Sequence, residues 1–410
     1  MKIVQLVDHH SENMGYSDVC LSKSLSKLGD DVFVISSNFK ANYNQKNFHE
    51  VYNKFHSSKI ENFKSKKING YTLHRLKCIK TPFGLYFLGL YDLLKNIRPD
   101  VIQVGEATSF LIFQAVIYKF FLKYLLTVEC HIHLSVYSPA KKFKDIYQNQ
   151  KLFFFIKFII NKLSQKIYKF LVSKILILKI DKCYPISKDA FFIATKYLGY
   201  AEKKTKISYL GTDIELFNPK IKKNIKLKEK LGFKKNNFVC IYTGRLDESK
   251  SPHLMSQAVK KLNDEGHKNV RGLFIGNGNR KYLKKIKNKY CKIISFVDYK
   301  DLPQYFRISE IGIWPTQEST SQLDALACGL PIIINENTGT PERIKECGLL
   351  YKINSVSDLA NKIVLLMDNK KRKLYSKNAI ALINKKFSWI EIAKSLKKDY
   401  KKLISNQNND

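Results

Sequence analysis

The chain has no run of about 18 uninterrupted apolar residues, the length a membrane-spanning helix needs. Its longest apolar stretch, Ala107 to Tyr118, is followed by Lys119 and Lys123. It has no CxxC pair among its eight cysteines, which argues against a structural zinc site and for reduced, buried thiols in a cytosolic protein. The start, Met1-Lys2 followed by IVQLV and then DHHSEN, is too short for a signal-peptide core and lacks a cleavage site. No DxD sequence occurs, so a divalent metal held by paired aspartates has no evident ligands. Acid is also scarce. Thirty-five Asp and Glu face 72 Lys and Arg, a formal net charge of +37.

That imbalance has a bland cause, since Lys, Asn, Ile and Phe are abundant together as in AT-rich coding sequence. Its functional cause would be an anionic partner: a membrane surface, nucleic acid or a phosphorylated substrate. The lysines are spread along the whole chain and no reader motif is present, which disfavours specific nucleic-acid binding. With 410 residues, 44% hydrophobic and 26% charged, the chain is globular and long enough for two or three domains.

Strand, loop and helix patterns alternate twice over. Met1 to Val7 predicts a strand, Ser17 to Leu28 a helix stopped by Gly29, and Val32 to Ser36, Val101 to Val104 and Leu125 to Glu129 further strands. A strand at Cys183 to Ser187 and a helix at Asp189 to Tyr197 lead into SYLGTDIELFNP (Ser208 to Pro219), which breaks the periodicity as a linker. The pattern then restarts with strands at Phe238 to Tyr242, Gly272 to Ile275, Ile293 to Val297 and Ile311 to Trp314, and with helices at Pro252 to Leu262 and Leu302 to Arg307. Phe387 to Ile404 predicts a Lys-rich closing helix, with Ser405 to Asp410 a frayed tail. The expected fold class is therefore α/β, with two doubly wound parallel sheets.

Residues 151–179 stand apart. Lys151, Lys162, Lys166 and Lys169 share one sector of a helical wheel, and Ile156, Ile159, Leu163 and Ile167 fall in another. Such a helix can lie in an anionic membrane interface or present an ordinary solvated lysine face.

Three stretches carry chemistry. Trp314 to Gly329, WPTQESTSQLDALACG, ends a strand, crosses a hydroxyl-rich loop and opens a helix at Gln322 that stops at Gly329. Amides of a first helical turn lack intrahelical partners and attract anions; Glu318 and Asp324 would accept from sugar hydroxyls. Plain capping by Ser, Thr and Asp explains the same letters. The second stretch is VCIYTG running into Arg245 and Lys250, two cations at a strand-to-helix turn, fitted to a diphosphate. Third, Gly276-Asn-Gly278 brings backbone close to something after a strand, and His131 follows the strand LLTVE, where it can act as donor or general acid/base.

Together GRLDESK (244–250), FIGNGN (274–279), WPTQESTSQLDALACGLPIII and TGTPE (338–342) resemble the second domain of family 4 glycosyltransferases, the retaining "group 1" enzymes. Ser208 to Pro219 resembles that family's linker, and Phe387-Ser-Trp389 the start of its crossing C-terminal helix. The resemblance implies a GT-B fold, with Rossmann-like domains at 1–212 (joined by helix 387–410) and 213–386 facing a cleft. It implies a UDP- or GDP-sugar donor and no metal. Arg245 and Lys250 would meet the diphosphate, and Asp324 the ribose. Glu318 would lie near the donor sugar, Ser319, Thr320, Ser321 and Gly276 on phosphate or sugar, and Gly15 where donor or acceptor approaches. His131 would face the sugar from the first domain. The acceptor would be a glycan or polyprenyl-linked chain in surface-polysaccharide synthesis, with the enzyme cytoplasmic and peripheral on the inner membrane's anionic surface. Two departures stand out. Glu318 and Asp324 are five residues apart rather than seven, with Thr316 at the strict register of the first acid, and the first loop has one glycine where two are common. A sugar-nucleotide-binding pseudoenzyme is the alternative these departures leave open, with a basic nucleic-acid-binding protein behind it.

Overall fold

The computed structural model describes residues 1–39, 65–134, 176–316, 318–344 and 346–409. The basic amphipathic stretch expected at 151–179 falls outside them except for its last four residues. Among the described residues no helix is long and apolar enough to cross a membrane.

The first half supplies β1 (Lys2–Val7), β2 (Asp31–Ser37), β3 (Ser65–Ile68), β4 (Tyr71–Leu76), the hairpin β5 (Cys78–Thr81) and β6 (Gly84–Phe87), β7 (Val101–Val104), β8 (Leu125–Cys130) and β9 (Lys182–Pro185). Seven of these form one sheet in the order β3-β4-β2-β1-β7-β8-β9, parallel except for the edge strand β3. The second half gives β10 (Phe238–Thr243), β11 (Val270–Ile275), β12 (Cys291–Ile294), β13 (Ile311–Trp314), β14 (Ile332–Asn335) and β15 (Gly348–Tyr351), all parallel, in the order β12-β11-β10-β13-β14-β15. Both sheets thus wind outward from their first strand in each direction. The strand order reverses between β1 and β7 in one and between β10 and β13 in the other, and ligands bind at such switch points, beyond the carboxyl ends of the strands. FVCIYT in β10 is buried at every residue, as a strand covered on both faces must be.

Four helices frame the cleft between the domains: α1 (Ser17–Lys27), α2 (His253–Asp264), α3 (Ser321–Ala327) and α4 (Trp389–Asn409). Gly329, in the left-handed region at φ +75°, follows the C-terminal end of α3. The tail does not fray at Ser405, because α4 runs to Asn409. It crosses back to bury Trp389, Ile392, Ala393, Leu396 and Tyr400 in one core with Ile3, Val34, Val101 and Leu125 of the first sheet. Full burial of each large apolar side chain contributes about 1.5–3 kcal/mol, so the first sheet's face is finished by the chain's last helix.

The linker is pinned where the chain crosses twice. Thr212 N–H donates to the Phe387 carbonyl at 2.8 Å, and Trp389 N–H donates back to Thr212 O at 3.2 Å. Lys23 of α1 meets Asp213 at 2.7 Å. One strand differs from expectation. The apolar pattern predicts Ile293 to Val297, but β12 covers Cys291–Ile294 because its partner β11 ends at Ile275, paired with Ile294. Phe296 and Val297 then turn their apolar surface to a cleft.

Candidate active site in the interdomain cleft

The end of β10 and the end of β13 lie side by side, and Trp314 Nε1 donates to Thr243 O at 3.1 Å between them. The loops after these strands are therefore held together. Thr316 Oγ1 donates to Ser249 O at 2.8 Å, and Lys250 Nζ donates to the Glu318 carbonyl at 3.0 Å. The cation-bearing turn and the hydroxyl-rich loop thus form one unit, although 68 residues separate Lys250 from Glu318. Burial is the main influence on the Lys250 ammonium. With the neighbouring Arg245 charge it pulls the pKa down to about 8, against the opposing pull of Glu318 and Asp247. Arg245 sits further out, its side chain 39% exposed and 3.4 Å from Asp247.

A cleft beside this unit is lined from both domains, by Gly15 and Tyr16 of the first and by Gly244, Tyr299, Thr320, Ser321 and Asp324 of the second. Counted to its open mouth it holds about 730 Å3, within the roughly 300–1,000 Å3 usual for small-molecule sites. Gly15 is required there: a Cβ on it would lie 2.1 Å from the Tyr299 ring. The loop expected to admit a ligand is thus packed on an aromatic ring of the opposite domain.

Asp324 is buried at the cleft wall and accepts from Thr212 Oγ1 at 2.6 Å. Burial, reinforced by the charge of Asp213 and opposed by the Thr212 bond, raises its pKa to about 7. It is therefore close to half protonated at neutral pH, not the permanent carboxylate its sequence position implies. Ser319 Oγ and Ser321 Oγ lie 3.3 Å apart. The Ser319 carbonyl accepts from Arg343 Nη1 at 3.0 Å, and the same nitrogen reaches Gln322 Oε1 at 3.2 Å. Arg343, one residue past TGTPE, thus holds the loop from behind. Its proximity to that motif is the only sign of it in the sequence.

The question of Thr316 against Glu318 has a geometric answer. Thr316 spends its hydroxyl on Ser249, whereas the Glu318 carboxylate accepts from the Gly339 amide at 2.7 Å. A Cβ on Gly339 would lie 2.7 Å from Asp189 Oδ2 and 2.9 Å from Glu318 Oε1, so an acid of each domain flanks that glycine. Asp189 opens the short helix Lys188–Phe192 and meets His133 Nδ1 at 3.0 Å. Burial opposes ionisation of Asp189, yet the bonds from His133 and Ser187 hold its pKa below the ordinary value. Neither residue is legible in the sequence as a neighbour of Glu318, because only domain docking brings them there.

Two expected site residues stand apart from the cleft lining. His131 Nε2 bonds Glu129 Oε2 at 2.7 Å, and its backbone N–H reaches Glu106 Oε2 at 3.3 Å. Burial alone would lower its pKa, but the Glu129 bond and the charges of Glu129, Glu106 and Asp18 outweigh that and raise it. Gly276 faces the preceding turn, since a Cβ there would lie 1.8 Å from Gly244 O. Gly276→Ala is expected to push the 244–246 turn aside and cost about 1–3 kcal/mol, as overpacking does. Chemical denaturation checks this, and an unchanged midpoint would show that the turn yields freely. Among the described residues, no three His, Cys, Asp or Glu side chains gather as ligands for a metal.

Comparison with known proteins agrees with this geometry. Residues 223–382 match the family model "Glycosyl transferases group 1". Spore coat protein SA of Bacillus subtilis is 27% identical over 227 residues, covering 49% of this chain and 60% of that protein. The UDP-Gal:alpha-D-GlcNAc-diphosphoundecaprenol alpha-1,3-galactosyltransferase of Escherichia coli is 28% identical over 210 residues, covering 48% and 54%. The matches thus span less than two thirds of these relatives. In structure, Anabaena Alr3699/HepE, solved in complex with UDP and glucose, aligns with a TM-score of 0.67 over 98% of this chain and 99% of its own, at 18% identity. Residues 223–382 form a glycosyl transferases group 1 domain, and the chain that carries it has the GT-B fold and is related to bacterial glycosyltransferases.

Proposed function

We propose that the protein is a retaining, metal-independent glycosyltransferase that moves a hexosyl unit from a UDP- or GDP-sugar to a glycan or polyprenyl-linked acceptor in bacterial surface-polysaccharide synthesis. The observation that carries this reading is the bond from Lys250 Nζ to the Glu318 carbonyl. It joins the diphosphate-fitted turn to the sugar-fitted loop, beside a cleft that also holds Asp324. Further support comes from relatives: the Escherichia coli protein is named for UDP-galactose and a diphosphoundecaprenol acceptor, and the Anabaena protein was solved with UDP and glucose.

In this reading the bond from the sugar's C1 to the donor oxygen breaks with its electron pair going to the diphosphate. The positive charges of Arg245 and Lys250 stabilise that leaving group while the sugar carries oxocarbenium character. The acceptor hydroxyl attacks on the same face, and its proton passes to a base, for which His131 is the first-domain candidate. Asp324 takes the ribose hydroxyls, Ser319 to Ser321 the phosphate or sugar, and Glu318 lies towards the donor sugar.

The test is a thermal-shift series with UDP- and GDP-sugars in the presence of EDTA, followed by transfer assays with NMR of the product anomer. A true donor at 100 times its Kd stabilises by about 2.7 kcal/mol, and one nucleotide class is expected to do so. No shift with any nucleotide sugar would overturn the reading, and strict dependence on a divalent ion would overturn its metal-free part. Binding without transfer or hydrolysis would leave a sugar-nucleotide-binding pseudoenzyme, the outcome that the shortened acid spacing keeps open.

A further inference from the structure

The crossing helix α4 reaches further into the first domain than its apolar face requires. Tyr400, fully buried on that helix, donates its hydroxyl hydrogen to Gln103 Oε1 on β7. Gln103, also fully buried, donates from Nε2 to Glu129 Oε1 on β8. The other carboxylate oxygen, Glu129 Oε2, accepts from His131 Nε2 at 2.7 Å. Four side chains from the chain's last helix, two neighbouring strands and the cleft edge therefore form one unbroken line of hydrogen bonds.

One group fixes the polarity of that line. An ionised carboxylate only accepts, so the NH2 of Gln103 has to face Glu129. Its oxygen then faces Tyr400, which has to donate. Gln5 Nε2, at 3.4 Å, adds a second donor to the same oxygen. Reversing any link would set two donors or two acceptors against each other in a buried place, at a cost of about 1–3 kcal/mol per unmade bond. His131 in turn has to carry hydrogen on Nε2. When it is neutral, its lone pair lies on Nδ1, because the partner of one ring nitrogen decides the state of the other.

We propose that Tyr400 is a positioning residue for His131, acting through Gln103 and Glu129, so that the docked C-terminal helix sets the tautomer and orientation of the first-domain histidine. This rests on the reading of His131 as a group that serves the transfer reaction. The charged groups facing His131 are Glu129 on the strand that leads into it, Glu106 after β7 and Asp18 on α1. All three stay in place in the variants that test the relay.

The full-length protein, labelled at histidine, is titrated by NMR, with the His131 signal assigned through His131→Gln. Tyr400→Phe keeps the ring, whose centroid lies 6.2 Å from that of Tyr184, and removes only the hydroxyl. Gln103→Met keeps the approximate shape and removes the donor to Glu129. A carboxylate that loses a donor becomes more basic and holds the His131 proton more tightly. The His131 midpoint is therefore expected to rise in both variants, by about half a pH unit or more in Gln103→Met and by less in Tyr400→Phe. Exposed Lys398→Ala on the same helix serves as control and is expected to leave it unmoved. Midpoints equal to the control in both variants, with melting temperatures showing intact folding, would overturn the relay. Movement in Gln103→Met alone would remove Tyr400 from it. The titration needs no turnover, so a protein that transfers no sugar but shows the shift refutes the proposed function and keeps the relay, while active enzyme with an unmoved midpoint does the reverse.

Discussion

Lys250→Met is expected to lower kcat/KM for sugar transfer by about 10^2–10^3-fold, the loss typical of removing one charge-stabilising donor from a reacting centre, while making the unliganded protein more stable. Both effects follow from the same geometry. The ammonium is mostly buried, with one backbone carbonyl as its hydrogen-bond acceptor and the Arg245 charge nearby, so its pKa falls from 10.5 to about 8. The unfolded chain holds that proton up to about pH 10.5, and the folded chain releases it near pH 8. Between these values the unfolded state binds more protons, so stability rises with pH; below about pH 8 the buried charge is a standing cost. Methionine keeps the stem's packing without the charge. The variant should therefore melt higher than the native protein at pH 7, and the gap should close as pH rises from 8 towards 10.5. A diphosphate would reverse the cost in the native protein by supplying the missing counter-charge. Unimpaired transfer by Lys250→Met would remove Lys250 from the reaction, and a lower melting temperature at pH 7 would contradict the account of its burial.

The architecture is legible in the sequence because parallel strands covered on both faces leave an unmistakable apolar signature. FVCIYT and IGIW could hardly be anything else, and α2 and α4 show helical spacing between polar faces. Edge elements are not legible. SKKI in β3 is mostly exposed, so nothing in its letters separates it from a loop, and only pairing with β4 makes it a strand. The end of β12 is hidden for a related reason: Phe296 and Val297 are as apolar as strand residues but face the cleft instead of continuing the ladder.

The candidate site divides in the same way. Arg245 and Lys250, and Glu318 and Asp324, come after strands that a doubly wound sheet makes neighbours, so local sequence plus topology suffices to bring the two turns together. The state of each group does not follow from that. Asp324 reads as a carboxylate until Thr212, 112 residues away, is seen bonded to it in a buried place. His131 reads as a loop histidine until Gln103 and Tyr400 are found behind its partner. Contacts of this kind depend on how two domains and a returning helix dock, and no periodicity records that.

The same buried carboxyl gives the other large effect, Asp324→Asn, whose sign should differ between stability and binding. Its pKa in the folded protein rises from 3.8 to about 7, a shift of about 3 units. The unfolded chain loses that proton near pH 4 and the folded chain keeps it to about pH 7, so the folded state binds more protons in between, and stability falls as pH rises through that window. At about 1.4 kcal/mol per unit, the full cost above pH 7 is at most about 4 kcal/mol. Asparagine accepts from the Thr212 hydroxyl as the protonated acid does, without the charge. The variant should therefore match the native protein near pH 4 and melt higher at pH 8. Donor binding should move the other way. A carboxylate has a second oxygen for ribose hydroxyls after Thr212 has taken the first, while asparagine has none, and a hydrogen bond to a charged group is worth about 1.5–3 kcal/mol. Nucleotide affinity should thus fall by about tenfold or more. The native protein should bind more tightly at pH 8 than at pH 6, and the variant should be flat between them. Calorimetric titration with the nucleotide at both pH values, alongside melting curves, checks the pair. A variant that binds as well as the native protein would remove Asp324 from the donor site, and one that melts lower at pH 8 would show that its carboxyl is not held protonated by burial.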